Sequence, residues 1–304
     1  MAEERRQKER KGWERSKNKN KNKNQKQNKT KRMEIKADGG STKVEWLLHD
    51  GQKEVARCVT AGVNPSLQGA EEIRRTLCGM LEEHPLFAKA ESVEYYGAGC
   101  TPAASAVMRG VLCGVFSSAT AVVVGSDIIG AAKALLGDEE GVACILGTGA
   151  NSCLWDGNAI VRQTPALGFI LGDEGSGAVL GKLFLNALYK GVLPLAMRKE
   201  FEEEYGLCMT DIIEKVYRQP MPNRWLASLS PFILRHVSDA GVRSIVYDNF
   251  MAFLSRNILP YERPDLPVNF VGSIAIHYRE VLRDALDALG LRCGRIMKSP
   301  LDAV

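Results

Sequence analysis

The sequence contains no long apolar run, and none of its stretches reaches the roughly 18 apolar residues that a membrane-spanning helix needs. Its first residues are charged and lack the apolar core of a secretory signal, so we expect no signal peptide. These absences argue against a membrane protein, and we expect no membrane partner. At 304 residues the chain is long enough for two domains of ordinary size.

Cysteine pairs of the CxxC type are also absent. Eight cysteines are scattered between Cys58 and Cys293, without the Cys/His clustering that is typical of a zinc site. Scattered cysteines usually pack as small buried side chains in a reducing compartment. We therefore expect a cytoplasmic protein.

Basic charge is concentrated at one end of the chain. Residues 1–32 contain 14 Lys or Arg and 4 Glu, whereas the remaining residues contain 26 basic and 32 acidic side chains, a net charge of −6. A body with this negative charge gives no reason to expect a nucleic-acid partner.

Residues 1–32 form a low-complexity tail that includes the run KNKNKNKNQKQNKTKR. The tail has no aromatic residue after Trp13 and no apolar periodicity, so we expect it to be disordered. It is either a basic arm for nucleic acid or membrane, or a stretch translated from a start upstream of a native initiator at Met33. The second interpretation is favoured, because strand-like sequence begins directly at Met33.

From Met33 onward, short apolar runs alternate with longer helical stretches, which predicts an α/β fold. The predicted strands are Glu34–Ala37, Val44–Leu48, Glu54–Thr60, Ser92–Tyr96, Ala121–Val124, Val142–Leu146, Cys153–Trp155, Ile160–Arg162 and Val268–Val271. The predicted helices are Pro65–Glu83, Pro102–Phe116, Asp127–Leu136, Glu174–Tyr189 and Ile276–Leu289, with mostly helical sequence before Leu259.

Two glycine-rich hairpin tips lie about 109 residues apart in the sequence. The first tip is DGGST at 38–42 and the second tip is GTGAN at 147–151. Each tip follows a predicted strand and precedes a strand that ends in an Asp-Gly turn. The repetition suggests duplicated domains that face each other.

The first tip has the composition of a phosphate-binding loop. Gly39 and Gly40 allow backbone N–H groups to approach a ligand closely, and Ser41 and Thr42 add hydroxyl donors. Asp38 is placed to hold Mg²⁺ through water. An ordinary tight turn with an Asx bond would also use these residue types.

Gly147, Thr148 and Gly149 in the second tip follow the same logic, and two such tips from two domains can surround a triphosphate. Competing nucleotide motifs are weak. The nearest approach to a Walker A motif, Gly177 to Lys182, has the wrong spacing, and this glycine spacing inside a predicted helix indicates helix packing rather than a dinucleotide-binding loop.

Acidic side chains mark two junctions before predicted helices. Asp127 follows a buried strand and opens a helix, where α/β proteins bind ligands. A kinase needs a carboxylate at such a position to orient the attacking hydroxyl and to accept its proton, although helix capping also explains an Asp there. Asp173 and Glu174 form a second acidic position for which a ligand contact and capping are equally good explanations.

Seven ordered motifs carry a family resemblance. They are ADGGSTKVEW at 37–46, AGVNP at 61–65, YYGAG at 95–99, SDIIGAAKAL at 126–135, LGTGANS at 146–152, LGFILGDEGSG at 167–177 and FVGSIA at 270–275. In this order the chain resembles the BadF/BadG/BcrA/BcrD ATPase family, in the branch close to N-acetylglucosamine kinase. The resemblance implies an actin-like fold, in which two ribonuclease-H-like domains close on ATP and Mg²⁺.

The resemblance also implies roles for individual residues. Thr42 and Thr148 would contact ATP phosphates with the glycines of both tips, Gly272 and Ser273 would lie on the adenosine side, and Asp38 would serve the metal. Asp127 matches the general base. The residues that match sugar-contact positions are Asn64, Ala150, Asn151, Gly168 and Asp173.

The family resemblance also implies domain boundaries. We expect a first ribonuclease-H-like domain at 33–131 and a second at 132–275, with a final helix at about 276–304 that packs back on the first domain. Two departures from the amino-sugar kinases concern the substrate: position 150 is Ala where those kinases carry Ser, and Leu167 replaces an aromatic residue between glycines.

The expected activity is transfer of phosphate from ATP to an N-acetylated amino sugar, in a protein for which a homodimer is a common state. One alternative is an ATPase activator that holds an iron–sulfur cluster between two subunits and drives a dehydratase. Its candidate ligands, Cys100 and Cys113, have apolar surroundings that predict core packing instead. A transcriptional regulator would need a helix-turn-helix ahead of Met33, which the tail cannot supply. A filament-forming actin relative would give Asn64, Asp127 and Asp173 no clear role.

Overall fold

A computed structural model describes residues 32–40 and 42–303 of the chain. Apart from Arg32, the predicted basic tail lies outside the described residues, as does Ser41 of the first tip. None of the helices in the described ranges combines the length and the apolar character that a bilayer crossing requires.

The described residues form ten strands, twelve α-helices and a few short 3₁₀ and π turns. The strands are β1 (Glu34–Gly39), β2 (Lys43–His49), β3 (Glu54–Ala61), β4 (Ser92–Gly97), β5 (Ala121–Ser126), β6 (Glu140–Leu146), β7 (Ala150–Asp156), β8 (Ile160–Arg162), β9 (Val268–Val271) and β10 (Cys293–Met297). The helices are α1 (Ala70–Glu83), α2 (Pro102–Val115), α3 (Asp127–Leu136), α4 (Gly168–Leu171), α5 (Gly177–Tyr189), α6 (Leu195–Tyr205), α7 (Met209–Tyr217), α8 (Pro222–Ser228), α9 (Ser230–Arg235), α10 (Ala240–Phe253), α11 (Ser273–His277) and α12 (Arg279–Ala288).

Two five-stranded sheets share one topology. The first sheet has the order β3-β2-β1-β4-β5 and the second has the order β10-β9-β6-β7-β8, which is the same pattern read in the opposite direction. In each sheet an antiparallel meander of three strands leads to two parallel strands. The expected two-domain α/β architecture with duplicated hairpins is therefore confirmed.

Apolar alternation explains how the first sheet covers its core. Ile35 and Ala37 in β1 are buried while their neighbours are partly exposed, as expected for a strand with one face on a core. On the facing α1, the buried residues Ile73, Leu77 and Met80 recur at the spacing of one helix face. These residues share one apolar cluster of the N-terminal half.

The core of the C-terminal half is built around aromatic side chains. Phe184, Phe201 and Phe232 are fully buried, and their ring centroids lie between 5.4 and 6.1 Å apart. Each buried phenylalanine contributes about 1.5–3 kcal/mol through removal of its surface from water. This packing anchors α5, whose first turn hydrogen-bonds to residues 147 and 148 of the second tip.

Helix α3 connects the two sheets. It follows β5 of the first sheet directly, and its buried face packs on Ala143, Cys153, Trp155 and Val271 of the second sheet. The predicted domain boundary after residue 131 therefore falls inside one continuous helix.

The predicted return of the last helix to the first domain is wrong. The apolar face of α12 packs in the core of the C-terminal half, where its buried side chains share one apolar cluster with those of α10. The following strand β10 pairs with β9 and so extends the second sheet. The 3₁₀ turn Pro300–Ala303 reaches β1 and α3, and the Arg295 guanidinium donates to the Leu135 carbonyl of α3 (3.2 Å).

Candidate active site

A cavity of about 490 Å³ lies between the two halves, and residues from both sheets line it. The two tips meet at its edge, where the hydroxyl oxygens of Thr42 and Thr148 are 3.1 Å apart. The duplicated hairpins therefore face each other across one space, which is the arrangement that two tips need to hold a single ligand.

The first tip is held by backbone hydrogen bonds. The Gly40 N–H donates to the Lys43 carbonyl (2.9 Å), and the Ala98 N–H donates to the Gly39 carbonyl (2.7 Å). A Cβ on Gly39 would lie 2.3 Å from the hydroxyl of Tyr95, so this position accepts only glycine without a local shift. The tip is thus fixed between β2 and β4.

The second tip is anchored on the start of helix α5. The Gly177 and Ala178 N–H groups donate to the carbonyls of Gly147 and Thr148, at 2.8 and 3.2 Å. Within the tip, the Gly147 N–H donates to the Gly149 carbonyl (3.0 Å). With these groups occupied, the tip can offer a ligand the N–H groups of Thr148 and Gly149 and the Thr148 hydroxyl. Such a donor set suits an anion.

Asp127 begins helix α3 and lines the cavity. Its carboxylate accepts a hydrogen bond from the Ile128 N–H (2.8 Å). Burial raises the pKa of Asp127 above its ordinary value, and the hydrogen bonds from Ile128 and from the Asn151 side chain oppose this shift. A carboxylate with a raised pKa is suited to accept a proton near neutral pH.

Asp38 lines the same cavity. The pKa of Asp38 is raised to about 7, mainly by burial and in addition by the negative charges of Asp127 and Glu45, while Lys43 opposes the shift. The negative charge of Asp127 thus disfavours the ionised form of Asp38, and a cation beside them would relieve this repulsion.

The donor set fits Mg²⁺ that arrives with phosphate. Within the described ranges, no group of three or more His, Cys, Asp or Glu side chains could hold a metal ion by itself. Mg²⁺ is usually bound by one or two carboxylates together with substrate phosphates and water, so Asp38 between the two tips matches this requirement.

Asp173 has an unusual backbone conformation, with φ of 54° in the left-handed region. Backbone N–H groups of Gly168 and Ala150 hydrogen-bond to its carboxylate, while burial raises its pKa to about 6. Strain of this kind persists where the surrounding structure enforces it and is frequent at functional sites. The Asp173 side chain thereby ties the Gly168 segment to the second tip.

Asn64 and Asn151 have partly committed side chains. The Asn64 Oδ1 accepts from the Ser66 N–H (3.0 Å), and the Asn151 Oδ1 accepts from the Ser152 N–H (2.9 Å) and from Gln163 (3.1 Å). With the oxygens engaged, the amide N–H groups are the atoms that these side chains can direct at Asp127 or at a ligand.

The cavity brings together nearly all of the predicted site residues that the structure describes. They are Asp38, Gly39, Gly40, Thr42, Asn64, Asp127, Gly147, Thr148, Gly149, Ala150, Asn151, Gly168, Asp173 and Gly272. Ser273 is outside this set. It is the first residue of α11, directly after Gly272, and it is exposed.

Sequence reasoning missed two lysines that line the cavity, Lys43 and Lys298. Lys43 follows the first tip directly, so its position in the motif could have indicated a role. Lys298 follows β10, a strand that was not predicted, and the Gly272 N–H donates to the carbonyl of the adjacent Met297 (3.0 Å). No sequence signal connected Lys298 with this cavity.

The cysteines do not behave uniformly. Cys100 is buried, as predicted, and burial raises the pKa of its thiol to about 11. Cys113 is exposed, so the prediction of core packing is wrong for this residue. It lies on α2, whose buried face is formed by other positions of the helix.

Solved structures include chains that are similar to this one. The putative N-acetylglucosamine kinase of Porphyromonas gingivalis is 46% identical, with a TM-score of 0.88 over 89% of this chain and 96% of that one. The putative N-acetylglucosamine kinase of Chromobacterium violaceum is 20% identical, with a TM-score of 0.65 over 90% and 97% of the two chains.

More distant structures share the fold alone. MreB5 of Spiroplasma citri, solved with ADP, is 13% identical with a TM-score of 0.55, and the match covers 90% of this chain and 94% of that one. No protein-family model and no curated protein sequence matches the chain.

Proposed function

This chain belongs to the BadF/BadG/BcrA/BcrD ATPase family, in its N-acetylglucosamine kinase-like branch, and on that premise we propose that it is an ATP-dependent kinase of N-acetylated amino sugars. One observation carries the proposal. A single cavity between the two halves contains both glycine-rich tips, the carboxylate of Asp127 and the amide of Asn64. These are the groups needed to hold a triphosphate beside an acceptor hydroxyl.

The nucleotide would bind across the two tips. Backbone N–H groups of the tips and the hydroxyls of Thr42 and Thr148 can surround the phosphates. Gly272, which lines the same cavity, would lie on the adenosine side. Mg²⁺, when bound near Asp38, would offset charge on the phosphates. The lysines Lys43 and Lys298 add positive charge to a cavity that three carboxylates otherwise make negative.

Asp127 is the proposed general base. It would orient a sugar hydroxyl, the 6-hydroxyl of an N-acetylglucosamine-like substrate, and would accept its proton as phosphate is transferred. Its raised pKa and its hydrogen bond with the Asn151 side chain support this role. Positioning and electrostatic stabilisation account for most of the catalysis of phosphoryl transfer, so a fixed carboxylate is an effective contribution.

The sugar would lie on the side of the cavity that Asn64, Ala150, Asn151, Gly168 and Asp173 line. Asn64 and Asn151 offer amide donors, and Asp173 offers an acceptor for sugar hydroxyls. Ala150, in place of the Ser of related amino-sugar kinases, removes one polar group from the proposed acetamide contact. The comparison at 46% identity with a putative N-acetylglucosamine kinase supports an amino sugar as the acceptor.

The activator alternative is less well supported than the kinase. A cluster ligand must be a thiolate, and burial raises the pKa of Cys100 to about 11, which disfavours the thiolate. Cys113 is exposed, but a single cysteine on each of two subunits supplies only two of the four ligands that a cluster usually requires.

The direct test is ADP release from ATP and Mg²⁺ with a panel of sugars: N-acetylglucosamine, N-acetylmuramic acid, N-acetylmannosamine, glucosamine and glucose. We expect ADP release that depends on an N-acetylated sugar and that chelation of Mg²⁺ abolishes. ADP release that is the same with and without sugar would overturn the proposal, and iron content of the anaerobically purified protein would then test the activator alternative.

A further inference from the structure

Asn249 is a polar side chain inside the core of the C-terminal half. It lies on helix α10 and is only 2% exposed. Its Oδ1 accepts a hydrogen bond from the Gly175 N–H (2.9 Å), and its Nδ2 donates to the Ser176 carbonyl (3.3 Å). One buried amide thus satisfies a donor and an acceptor of a segment that is distant in the sequence.

The segment that Asn249 holds is the turn at residues 173–176, called the Asp173 turn below. The Ser176 N–H donates to the Asp173 carbonyl (3.0 Å), which closes the turn. Gly175 has φ of +81°, and a Cβ there would lie 2.9 Å from the Cβ of Phe253 on α10. The turn is therefore pressed against α10 as well as hydrogen-bonded to it.

Both ends of the Asp173 turn lead into the cavity. At its start, the Asp173 carboxylate accepts N–H bonds from Gly168 and Ala150. Directly after it, the first turn of α5 donates to the carbonyls of Gly147 and Thr148 in the second tip. The proposed sugar contacts and one proposed phosphate contact are thus connected through the same short segment.

We infer that Asn249 is a positioning residue for the phosphoryl transfer. It contacts neither substrate but acts through the Asp173 turn, whose placement sets both Asp173 and the second tip. The inference rests on the proposed function for its effect on sugar transfer, whereas its effect on nucleotide binding is independent of which acceptor is used.

Removing the side chain leaves one buried donor without its partner. In Asn249→Ala the Gly175 N–H loses its acceptor, whereas the Ser176 carbonyl loses one of two donors and still accepts from the Leu180 N–H (3.0 Å). A buried unpaired N–H at the centre of the turn drives a local rearrangement. A misplacement of about 1 Å at a distance from the reacting atoms can lower a rate by about 10²-fold. We therefore expect kcat to fall by more than the fraction of unfolded protein accounts for.

Asn269 provides a matched control. It is 3% exposed, its Nδ2 donates to the carbonyls of Val142 (3.2 Å) and Pro267 (3.1 Å), and its Oδ1 accepts from the Arg295 N–H (2.8 Å). It has the same chemistry and the same burial in the same half of the molecule, but neither Asn269 nor any of its three partners lines the cavity. Asn269→Ala should therefore lower stability without changing the kinetics.

The experiment compares both alanine variants with the full-length protein in Tm, kcat, both KM values, MgATP affinity and hydrogen exchange. We expect similar losses of Tm, a kcat lowered by about 10²-fold in Asn249→Ala only, and faster amide exchange in residues 168–178 of that variant only. Equal kinetics in the two variants, or an exchange pattern in 168–178 like that of the wild type, would overturn the inference.

Two further measurements cover the remaining outcomes. If the wild type phosphorylates no sugar, the proposed function fails, and the inference is then decided by MgATP affinity, which should weaken in Asn249→Ala and not in Asn269→Ala. If Asn249→Ala does not fold, Asn249→Asp keeps the shape and the acceptor for the Gly175 N–H, but it replaces the donor to the Ser176 carbonyl with an oxygen, so that two oxygens repel each other at the turn. Wild-type kcat and MgATP affinity in folded Asn249→Asp would contradict the inference.

Discussion

At the scale of single residues, charge in the cavity is unevenly balanced. In the part of the chain that the structure describes, Asp38, Asp127 and Asp173 line the cavity together with Lys43 and Lys298. Burial is the main cause of the raised pKa of each of these carboxyl groups, and the negative charge of Asp127 adds to it for Asp38 and Asp173. The cavity is therefore arranged for ligands that bring positive charge with them or that pair with the lysines.

Lys298 should contribute to nucleotide affinity. In Lys298→Ala we expect the KM for MgATP to rise about fivefold, since an exposed ionic contact contributes ~1 kcal/mol at most. The kcat and the KM for sugar should stay unchanged, and Lys298→Arg should restore most of the affinity. Lys199→Ala, which changes an exposed lysine outside the cavity, serves as the control. An unchanged KM for MgATP in Lys298→Ala would remove Lys298 from the binding site.

Asp38 should limit stability while it supports activity. Its pKa is raised to about 7 from an ordinary value near 4, so the folded state holds its proton more tightly than the unfolded state does. Stability from this group is therefore lost as pH rises through that range. In Asp38→Asn, measured without Mg²⁺ and nucleotide, Tm should exceed that of the wild type at pH 8, and the gain should shrink towards pH 5.

The same variant should lose phosphoryl transfer, because the proposed metal contact is gone. A lower Tm than the wild type at pH 8 would show that Asp38 is stabilised by contacts that outweigh its burial. Retained activity would show that the metal does not depend on Asp38.

Local motif chemistry made many of the cavity residues predictable, because they lie at a strand end or a hairpin tip. Asp38, Thr42, Asp127 and Thr148 are of this kind, and the cavity contains all four. Lys298 was not predictable, since a lysine on a charged surface has no distinguishing neighbourhood in the sequence. Asn249 was not predictable either, because its proposed role depends on a turn that is far away along the chain.

At the scale of elements, the first tip depends on a close approach between β1 and β4. Gly39→Ala places a methyl group within 2.3 Å of the Tyr95 hydroxyl, which must displace the tip or the ring. We expect a destabilisation of about 1–3 kcal/mol together with weaker MgATP binding. Thermal unfolding and nucleotide titration of the same sample measure both effects.

Gly79→Ala is the control for this prediction. Gly79 lies inside helix α1, and a Cβ there meets nothing within 4 Å. Since alanine is the better helix former by about 1 kcal/mol, this variant should be at least as stable as the wild type. If Gly39→Ala behaves like Gly79→Ala, the first tip does not depend on the close approach to Tyr95.

Strands with strong apolar character were predictable, and short polar elements were not. The predicted strands from β1 to β9 match the observed ones within a few residues, because alternation and β-branched residues mark them. The sequence CGRIM of β10 lacks alternation and contains a glycine, so pairing with β9 is what makes it a strand. Helix α1 begins at Ala70 rather than Pro65, because residues 64–68 form a loop closed by the Asn64 and Gln68 side chains.

At the scale of the whole molecule, the duplication was visible in the sequence. Which half receives the last helix and the last strand was not. Repeated hairpin tips predicted two facing sheets, and the two strand orders agree with that prediction. The assignment of residues 276–297 to a half failed because it depends on which core receives the apolar face of α12, a tertiary choice that local periodicity does not encode.

The central claim is that the two halves form one site in which Asp127 activates a sugar hydroxyl. Asp127→Asn keeps the size of the side chain but removes most of its basicity, so folding and binding should persist. The measurement is single-turnover transfer of phosphate from MgATP to N-acetylglucosamine, or to the best acceptor of the sugar panel, with the affinities of both ligands measured in parallel. We expect affinities close to those of the wild type and a transfer rate lowered by about 10²–10⁴-fold. Transfer near the wild-type rate by a protein that binds both ligands would contradict the account.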